Sequence, residues 1–181
     1  GMYEPGHALR TSANQGVAFK VGELSGRVTP RVTAICDVLG AAGPSQPTTN
    51  LWGERWAKLA TNSMANSVCA LTGLGSGALR LTPGPADISI KITAEVVRVG
   101  KALGIEVEPI NGIPAEMYER AGDAQVMEEI KTRLAEGAKE LGEGRPSMLQ
   151  DVMKGRRTEI EHLDGYVADR GREVGVPTPA C

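Results

Sequence analysis

The strongest hydrophobic pattern in the chain lies between Asn50 and Gly73 and predicts one long amphipathic helix. Asn50 suits the N-cap position, and Gly73 stands just past the predicted end. Beyond Lys58 no charged side chain occurs until Arg80, whereas a solvent-exposed helix of this length carries charges at almost every turn. We therefore expect the helix to be buried on most sides. Its apolar positions recur at helical spacing and are Trp52, Trp56, Leu59, Ala60, Met64, Val68 and Leu71.

A polar stripe runs along the same helix. Lys58, Asn62 and Asn66 lie four residues apart, so each is displaced by only about 40° around the helix axis. A buried amide without a partner costs about 1–3 kcal/mol, which favours a polar group or ligand opposite the stripe. The simpler alternative is that both amides bond to neighbouring backbone while Lys58 extends into solvent.

The region before this helix predicts a small β-containing segment. Residues 1–28 contain many turn formers and two short β-like runs, His7 to Thr11 and Val17 to Val21, which predict a hairpin or two adjacent strands. A strand pair alone is marginal in water, so we expect these strands to extend another sheet. A helix is predicted from Thr29-Pro30 to about Gly40. Its apolar face consists of Val32, Ile35, Cys36 and Leu39.

Ala41 to Thr49 contains two prolines and is predicted to be a linker. We place the domain boundary there. Residues 1–49 then form a unit of strands with one connecting helix, and residues 50–181 form a helical domain.

The glycine-rich turn Gly73-Leu-Gly75-Ser-Gly77 is compatible with a phosphate loop, but a dinucleotide loop follows a strand and opens a helix. This turn closes a helix, so we favour a C-cap turn. Three further helices are predicted at Pro83 to Gly104, Ala115 to Gly122 and Asp123 to Leu141. In the first of these, alternating isoleucines also allow a strand.

Near the C-terminus, Thr158 and Glu161 have the spacing of a capping box and predict a helix with Glu159 in its first turn. A carboxylate there is favoured by the positive end of the helix dipole. Gly165 would lie in mid-helix, which suggests close backbone approach. The residues expected to face inward are Ile160, Leu163, Val167 and Val174.

Two motifs resemble those of a known family. The first is W-x-K-L-x-x-N-x-x-x-N, beginning at Trp56, and the second is S-M-x-x-D beginning at Ser147, followed by G-R-x-T-E-I at Gly155 and G-V-P-T-P at Gly175. Together they resemble the 2-dehydropantoate 2-reductases, or ketopantoate reductases, over about Trp52 to Pro179. The resemblance implies a mainly α fold. It would be a C-terminal helical domain of the 6-phosphogluconate dehydrogenase C-terminal-like type, preceded by a short β hairpin and helix left over from a Rossmann-type domain. Residues 1–49 would then be the terminal strands and connecting helix of a truncated nucleotide-binding domain, and residues 50–181 the substrate-binding and catalytic domain.

The resemblance also implies an activity: NADPH-dependent reduction of 2-dehydropantoate to pantoate, for pantothenate and coenzyme A synthesis. Lys58 would be the general acid that protonates the developing alkoxide. Glu159 would fix the substrate hydroxyl or Lys58. The residues implied to bind substrate are Asn62, Asn66, Ser147 and Asp151.

The sequence departs from the family pattern at several points. Ser76 stands where the family usually has an asparagine, and Glu161 and Asp164 replace the usual aspartate and asparagine, which leaves a reductase of another 2-oxo acid open. No G-x-G-x-x-G follows a predicted strand. The chain therefore resembles a fragment, expected to be inactive alone, with a Rossmann domain encoded upstream. A non-enzymatic helical dimerisation module is the competing class.

Composition narrows these alternatives. The formal charge of −2 and the absence of a long basic run argue against a nucleic-acid partner. Three cysteines without metal-ligand spacing predict reduced thiols, no metal site and a cytoplasmic protein. No apolar run is long enough for a membrane span. The expected partners are a small 2-oxo acid, the Rossmann domain and a second copy of the chain in a homodimer.

Overall fold

A computed structural model describes residues 2–4, 6–8 and 16–181, including all side chains except those of residues 2–4, 7, 8 and 140. The chain divides into two compact units, Gly1–Leu51 and Trp52–Cys181. The assignment of the first to a truncated nucleotide-binding domain and of the second to a substrate domain stays a prediction.

The first unit contains four short strands and one helix in its described part. β1 (Met2–Glu4) and β2 (His7–Ala8) pair antiparallel, whereas β3 (Phe19–Val21) and β4 (Ser45–Pro47) pair parallel. Between β3 and β4 lies α1 (Pro30–Gly40), so the second pair is a β-α-β crossover.

The predicted pairing of the two β-like runs is therefore wrong. The described part of His7 to Thr11 pairs with β1, and its residues 9–11 lie outside the described residues. Val17 to Val21 contributes β3, which pairs with a strand inside the predicted linker. The predicted helix α1 is confirmed. The Thr29 side chain accepts a hydrogen bond from the backbone N–H of Val32, as an N-cap residue should.

The second unit is helical, and α2 (Leu51–Thr72) begins at its boundary. Seven further α-helices follow in the described residues and are joined by short loops. They are α3 (Ser76–Leu81), α4 (Pro85–Ala102), α5 (Ala115–Glu119), α6 (Ala124–Glu136), α7 (Ala138–Leu141), α8 (Ser147–Met153) and α9 (Asp164–Val174).

The core of this unit is centred on α2 and α4. The indole Nε1 of Trp56 donates a hydrogen bond to the carbonyl of Val96 at 2.7 Å. Gly100 is required beside this ring, because a Cβ there would lie 2.6 Å from the Trp56 Cδ1. α4 also packs against α3, α5, α6 and α9, which places most of its surface in the core.

The end of the chain is tied to α4 through a buried carboxylate. Glu95 is only 3% exposed. Its oxygens accept hydrogen bonds from the backbone N–H groups of Ala180 and Cys181 at 2.9–3.0 Å. These bonds compensate much of the cost of burying the carboxylate.

Several sequence expectations for the second unit need correction. Trp52 and Leu71, expected on the buried face of α2, are 50% and 87% exposed because they lie at its two ends. The glycine-rich turn closes α2 but also opens α3. The helix predicted from Asp123 to Leu141 is interrupted at Gly137. Helix, and not strand, is confirmed over α4, in which Ile88 at one end of the alternating isoleucines is 48% exposed.

The capping-box prediction is also wrong. Glu161 forms an ion pair with Arg157 at 2.6 Å and lies in a 3₁₀ turn, Ile160–His162, that precedes α9. Gly165 is therefore the second residue of α9 and not a mid-helix glycine. Ile160 is exposed, while Val167 is fully buried as expected.

Candidate functional site

The two sequence motifs meet at Asn66 and Ser147, which are 81 residues apart in the chain. Asn66, on α2, is 6% exposed. Its Oδ1 accepts hydrogen bonds from the Ser147 hydroxyl and from the backbone N–H of Met148, each at 3.2 Å. The amide of Asn66 thus holds the first turn of α8 against α2.

This contact restricts what each side chain offers a ligand. Both lone pairs of the Asn66 Oδ1 are used, so Asn66 can serve a ligand only as a donor through Nδ2. The Ser147 hydroxyl donates its hydrogen to Asn66 and keeps its lone pairs. For Ser147 to donate to a substrate carboxylate, its O–H must turn away from Asn66.

The polar stripe on α2 runs from solvent into the protein. Lys58 is exposed, Asn62 is half-buried and Asn66 is buried. The stripe therefore has an open end with a cation and a packed end with an amide. This combines the two alternatives posed by the sequence, since Lys58 extends into solvent while Asn66 faces polar groups of α8.

The remaining predicted site residues do not converge on this contact in the described structure. Glu159 is exposed and immediately precedes the 3₁₀ turn, and Asp151 is half-buried in α8. Among the described side chains, no hydrogen bond or ion pair joins Lys58, Asn62, Asp151 or Glu159 to another predicted site residue. Their roles toward a substrate stay predictions.

A second polar cluster, not predicted from the sequence, surrounds Asp164 at the start of α9. Asp164 is 1% exposed, and neither carboxylate oxygen has a hydrogen-bond partner in the described structure. Burial raises the pKa of this carboxyl, and nearby Glu95 acts in the same direction. The hydroxyls of Ser63 and Ser67 lie close enough to Asp164 to oppose this rise in its pKa. The Ser67 hydroxyl, however, donates its hydrogen bond to the backbone carbonyl of Ser63.

The sequence contained partial signals for this cluster. Ser63 and Ser67 repeat the four-residue spacing of the asparagine stripe, one position further along α2. Glu95 interrupts the apolar face of α4, and Asp164 replaces an asparagine that is usual in the family. None of these residues reveals its burial by itself.

Neither a metal centre nor a membrane span is found in the described part of the chain. No group of three His, Cys, Asp or Glu residues there is placed to hold a metal ion. None of the described helices combines the length and the apolar character needed to cross a bilayer.

Comparison with known proteins identifies the helical unit. Residues 50–181 match the family model described as "Ketopantoate reductase PanE/ApbA C terminal". A 2-dehydropantoate 2-reductase of Mesorhizobium japonicum is 32% identical over 166 residues, which cover 91% of this chain and 45% of the relative. One from Archaeoglobus fulgidus is 27% identical over 165 residues, which cover 91% of this chain and 49% of the relative. The chain thus spans about half the length of these curated relatives.

The fold is also found in the solved structure of a dehydrogenase. A D-mandelate dehydrogenase in complex with NADH matches with a TM-score of 0.69 at 22% identity, covering 90% of this chain and 50% of the other. At this identity the similarity shows the fold alone. The family model and the curated relatives confirm the resemblance and the fold class expected from the sequence.

Proposed function

Because this chain belongs to the ketopantoate reductase family through its C-terminal domain, we propose that it forms the substrate-binding and catalytic half of an NADPH-dependent 2-dehydropantoate 2-reductase. The observation that supports this most directly is the bond between Asn66 and Ser147. It joins the two family motifs at the buried end of the polar stripe, whose exposed end is Lys58.

In this proposal Lys58 is the general acid. NADPH would supply a hydride to the C2 carbonyl carbon of the substrate, and it would be bound by a domain outside this chain. The Lys58 ammonium at the open end of the stripe stabilises the negative charge that develops on the carbonyl oxygen and then transfers a proton to it. An exposed lysine fits this role because it regains a proton directly from water.

The other residues bind and orient the substrate. Asn62 and the Nδ2 of Asn66 donate hydrogen bonds to its hydroxyl and carbonyl oxygens. The Ser147 hydroxyl turns from Asn66 to the substrate carboxylate, with Asp151 on the same helix completing that wall. Glu159 accepts a hydrogen bond from the substrate hydroxyl or from Lys58. Such contacts would raise the reaction rate by holding the substrate carbonyl in the correct orientation relative to the nicotinamide.

The test uses the full open reading frame, with 2-dehydropantoate-dependent NADPH oxidation as the readout. We expect Lys58→Ala to lower kcat by about 10²–10⁴-fold, the usual contribution of a general acid. Lys91→Ala, which removes an exposed lysine of α4, is the matched control and should retain activity. Equal activity of the Lys58→Ala variant and the wild type would refute the assignment of the acid.

Reduction of another 2-oxo acid is the second candidate. Ser76, Glu161 and Asp164 depart from the family pattern, and the helical unit shares its fold with a D-mandelate dehydrogenase. A comparison of kcat/KM over 2-oxo acids with hydroxylated, aliphatic and aromatic side chains separates the two candidates. Failure to bind NADPH would instead favour a helical dimerisation module, whose self-association is measured by light scattering. We propose a cytoplasmic location and a homodimer for the enzyme.

A further inference from the structure

Residues 175–181 form a strap that follows α9 and contains neither helix nor strand. Near its start, the backbone N–H of Val176 donates to the carbonyl of Gly171 in α9 at 2.8 Å. A Cβ on Gly171 would lie 2.7 Å from the Val176 oxygen, so the strap crosses the helix in close contact. At the far end of the strap, two backbone N–H groups donate to the Glu95 carboxylate of α4. A few backbone bonds at its two ends therefore hold the strap in place.

Two buried acids lie close to the far end of the strap. Glu95 and Asp164 are 3% and 1% exposed, and both lie close enough to the Cys181 thiol to act on it electrostatically. Glu95 accepts the N–H groups of the strap, whereas neither Asp164 oxygen has a hydrogen-bond partner among the described residues. Two carboxylates that are buried near each other resist ionising together, so this site favours the retention of one proton.

Asp164 is the member of this cluster that is expected to change charge. α2 presents only the neutral hydroxyls of Ser63 and Ser67 to it. Burial, with Glu95 beside it, raises the pKa of the Cys181 thiol, which therefore stays neutral. The charged and titratable side chains that surround the cluster lie at the surface or are paired. They are Lys91 and Arg98 on α4, Arg170, which pairs with Glu173, on α9, and Glu161 and His162 in the 3₁₀ turn before α9.

We propose that the strap is a pH-sensitive latch, which is closed while Asp164 holds a proton and opens locally when Asp164 ionises. The anchoring bonds to Glu95 adjoin an open groove that is lined by Glu95, Pro179 and Ala180 among others, so opening admits water to both acids. The closed state holds a proton that the open state releases, and a rise in pH therefore favours opening. The asparagine that is usual in the family at this position does not titrate. The latch needs neither Lys58 nor NADPH, so it goes beyond the proposed reductase activity.

Amide hydrogen exchange of the 181-residue chain, followed by NMR over a range of pH, tests the latch. The protection factors of the Ala180 and Cys181 amides, corrected for the intrinsic pH dependence of exchange, report the opening of the strap. We expect them to fall by up to about tenfold per pH unit above about pH 4 and to level off once Asp164 is ionised. Asp164→Asn should remove this dependence and raise both protection factors by about fivefold or more at pH 7.5.

Three comparisons make the result specific to the strap. His162→Asn should keep the wild-type dependence, which excludes the histidine of the 3₁₀ turn as its source, since histidine ordinarily titrates in this range. The amides of Val96, in the buried middle of α4, and of Val167, which donates to the Leu163 carbonyl at the start of α9, should be better protected than the strap at every pH.

The proposal is overturned if the strap amides are as well protected as the amide of Val96, because the strap would then open only on global unfolding. It is also overturned if their protection does not change with pH in the wild type, or if Asp164→Asn keeps the wild-type dependence. No nucleotide or turnover is involved, so these outcomes are independent of the reductase assay.

Discussion

Replacing Asp164 by asparagine should stabilise the protein at neutral pH. Asp164 is 1% exposed, and neither carboxylate oxygen has a hydrogen-bond partner among the described residues, although the Ser63 and Ser67 hydroxyls lie nearby. Glu95 adds a second buried acid close to it. Leaving such a polar group unsatisfied costs about 1–3 kcal/mol. An amide of the same shape is still polar but has no charge to desolvate, so Asp164→Asn removes the extra cost of the charge and should raise the free energy of unfolding by about 1 kcal/mol or more.

The effect should depend on pH in a defined direction. The pKa of Asp164 is raised above its usual value of 3.8, so the folded state holds a proton that the unfolded state has released. Stability of the wild type therefore falls as pH rises from about 4 through the folded pKa, and then levels off. The advantage of Asp164→Asn should be smallest below pH 4 and grow over the same interval.

Urea denaturation of the 181-residue chain, followed by tryptophan fluorescence, measures both effects. Trp56 lies 6.1 Å from the ring of Tyr166 on α9, so its emission reports on the relevant packing. Asp169→Asn is the matched control, because Asp169 is an exposed acid on the same helix that pairs with Arg172. Its effect should stay within about 0.5 kcal/mol. Destabilisation by Asp164→Asn at pH 7.5, or a pH dependence equal to that of wild type, would refute the reasoning.

Two further predictions concern α2. Asn66→Ala leaves the buried N–H of Met148 without an acceptor and should cost about 1–3 kcal/mol in urea denaturation, whereas Asn62→Ala, which breaks no described bond to α8, should cost less. Cys69 is fully buried, and burial raises the pKa of its thiol to about 11, so at pH 8 it should react with a thiol reagent far more slowly in the native state than in urea. The labelled peptide that contains Cys69 is identified by its absence from a Cys69→Ser variant. Equal rates of Cys69 labelling in the native state and in urea would contradict the structure.

The long helices were predictable because their own side chains specify them. In α2 and α4 the apolar residues recur at helical spacing over many turns, and the predicted helices α1, α2 and α4 are confirmed. β4 was missed because Ser-Gln-Pro has low β propensity, and its pairing with β3 depends on tertiary contacts. The capping-box prediction at Thr158 failed because Glu161 pairs with Arg157 instead.

The candidate site was predictable only in part. The spacing of Lys58, Asn62 and Asn66 defined one wall, but spacing within a helix contains no information about what lies opposite. Only the resemblance linked that wall to Ser147, and the structure shows the hydrogen bond that joins them. The burial of Asp164 depends on helices that approach it from distant parts of the sequence, so no local pattern reveals it.

The bonds from Glu95 to the last residues of the chain affect the order of events during synthesis. Glu95 leaves the ribosome 85 residues before Ala180, a delay of about 4 to 17 s at about 5–20 residues per second. Over that interval the carboxylate has only water as a partner, so α4 cannot complete its packing at this position without a large desolvation cost. The helical unit therefore completes its packing around Glu95 only after Ala180 and Cys181 have been translated, although α2 and α4 emerge early.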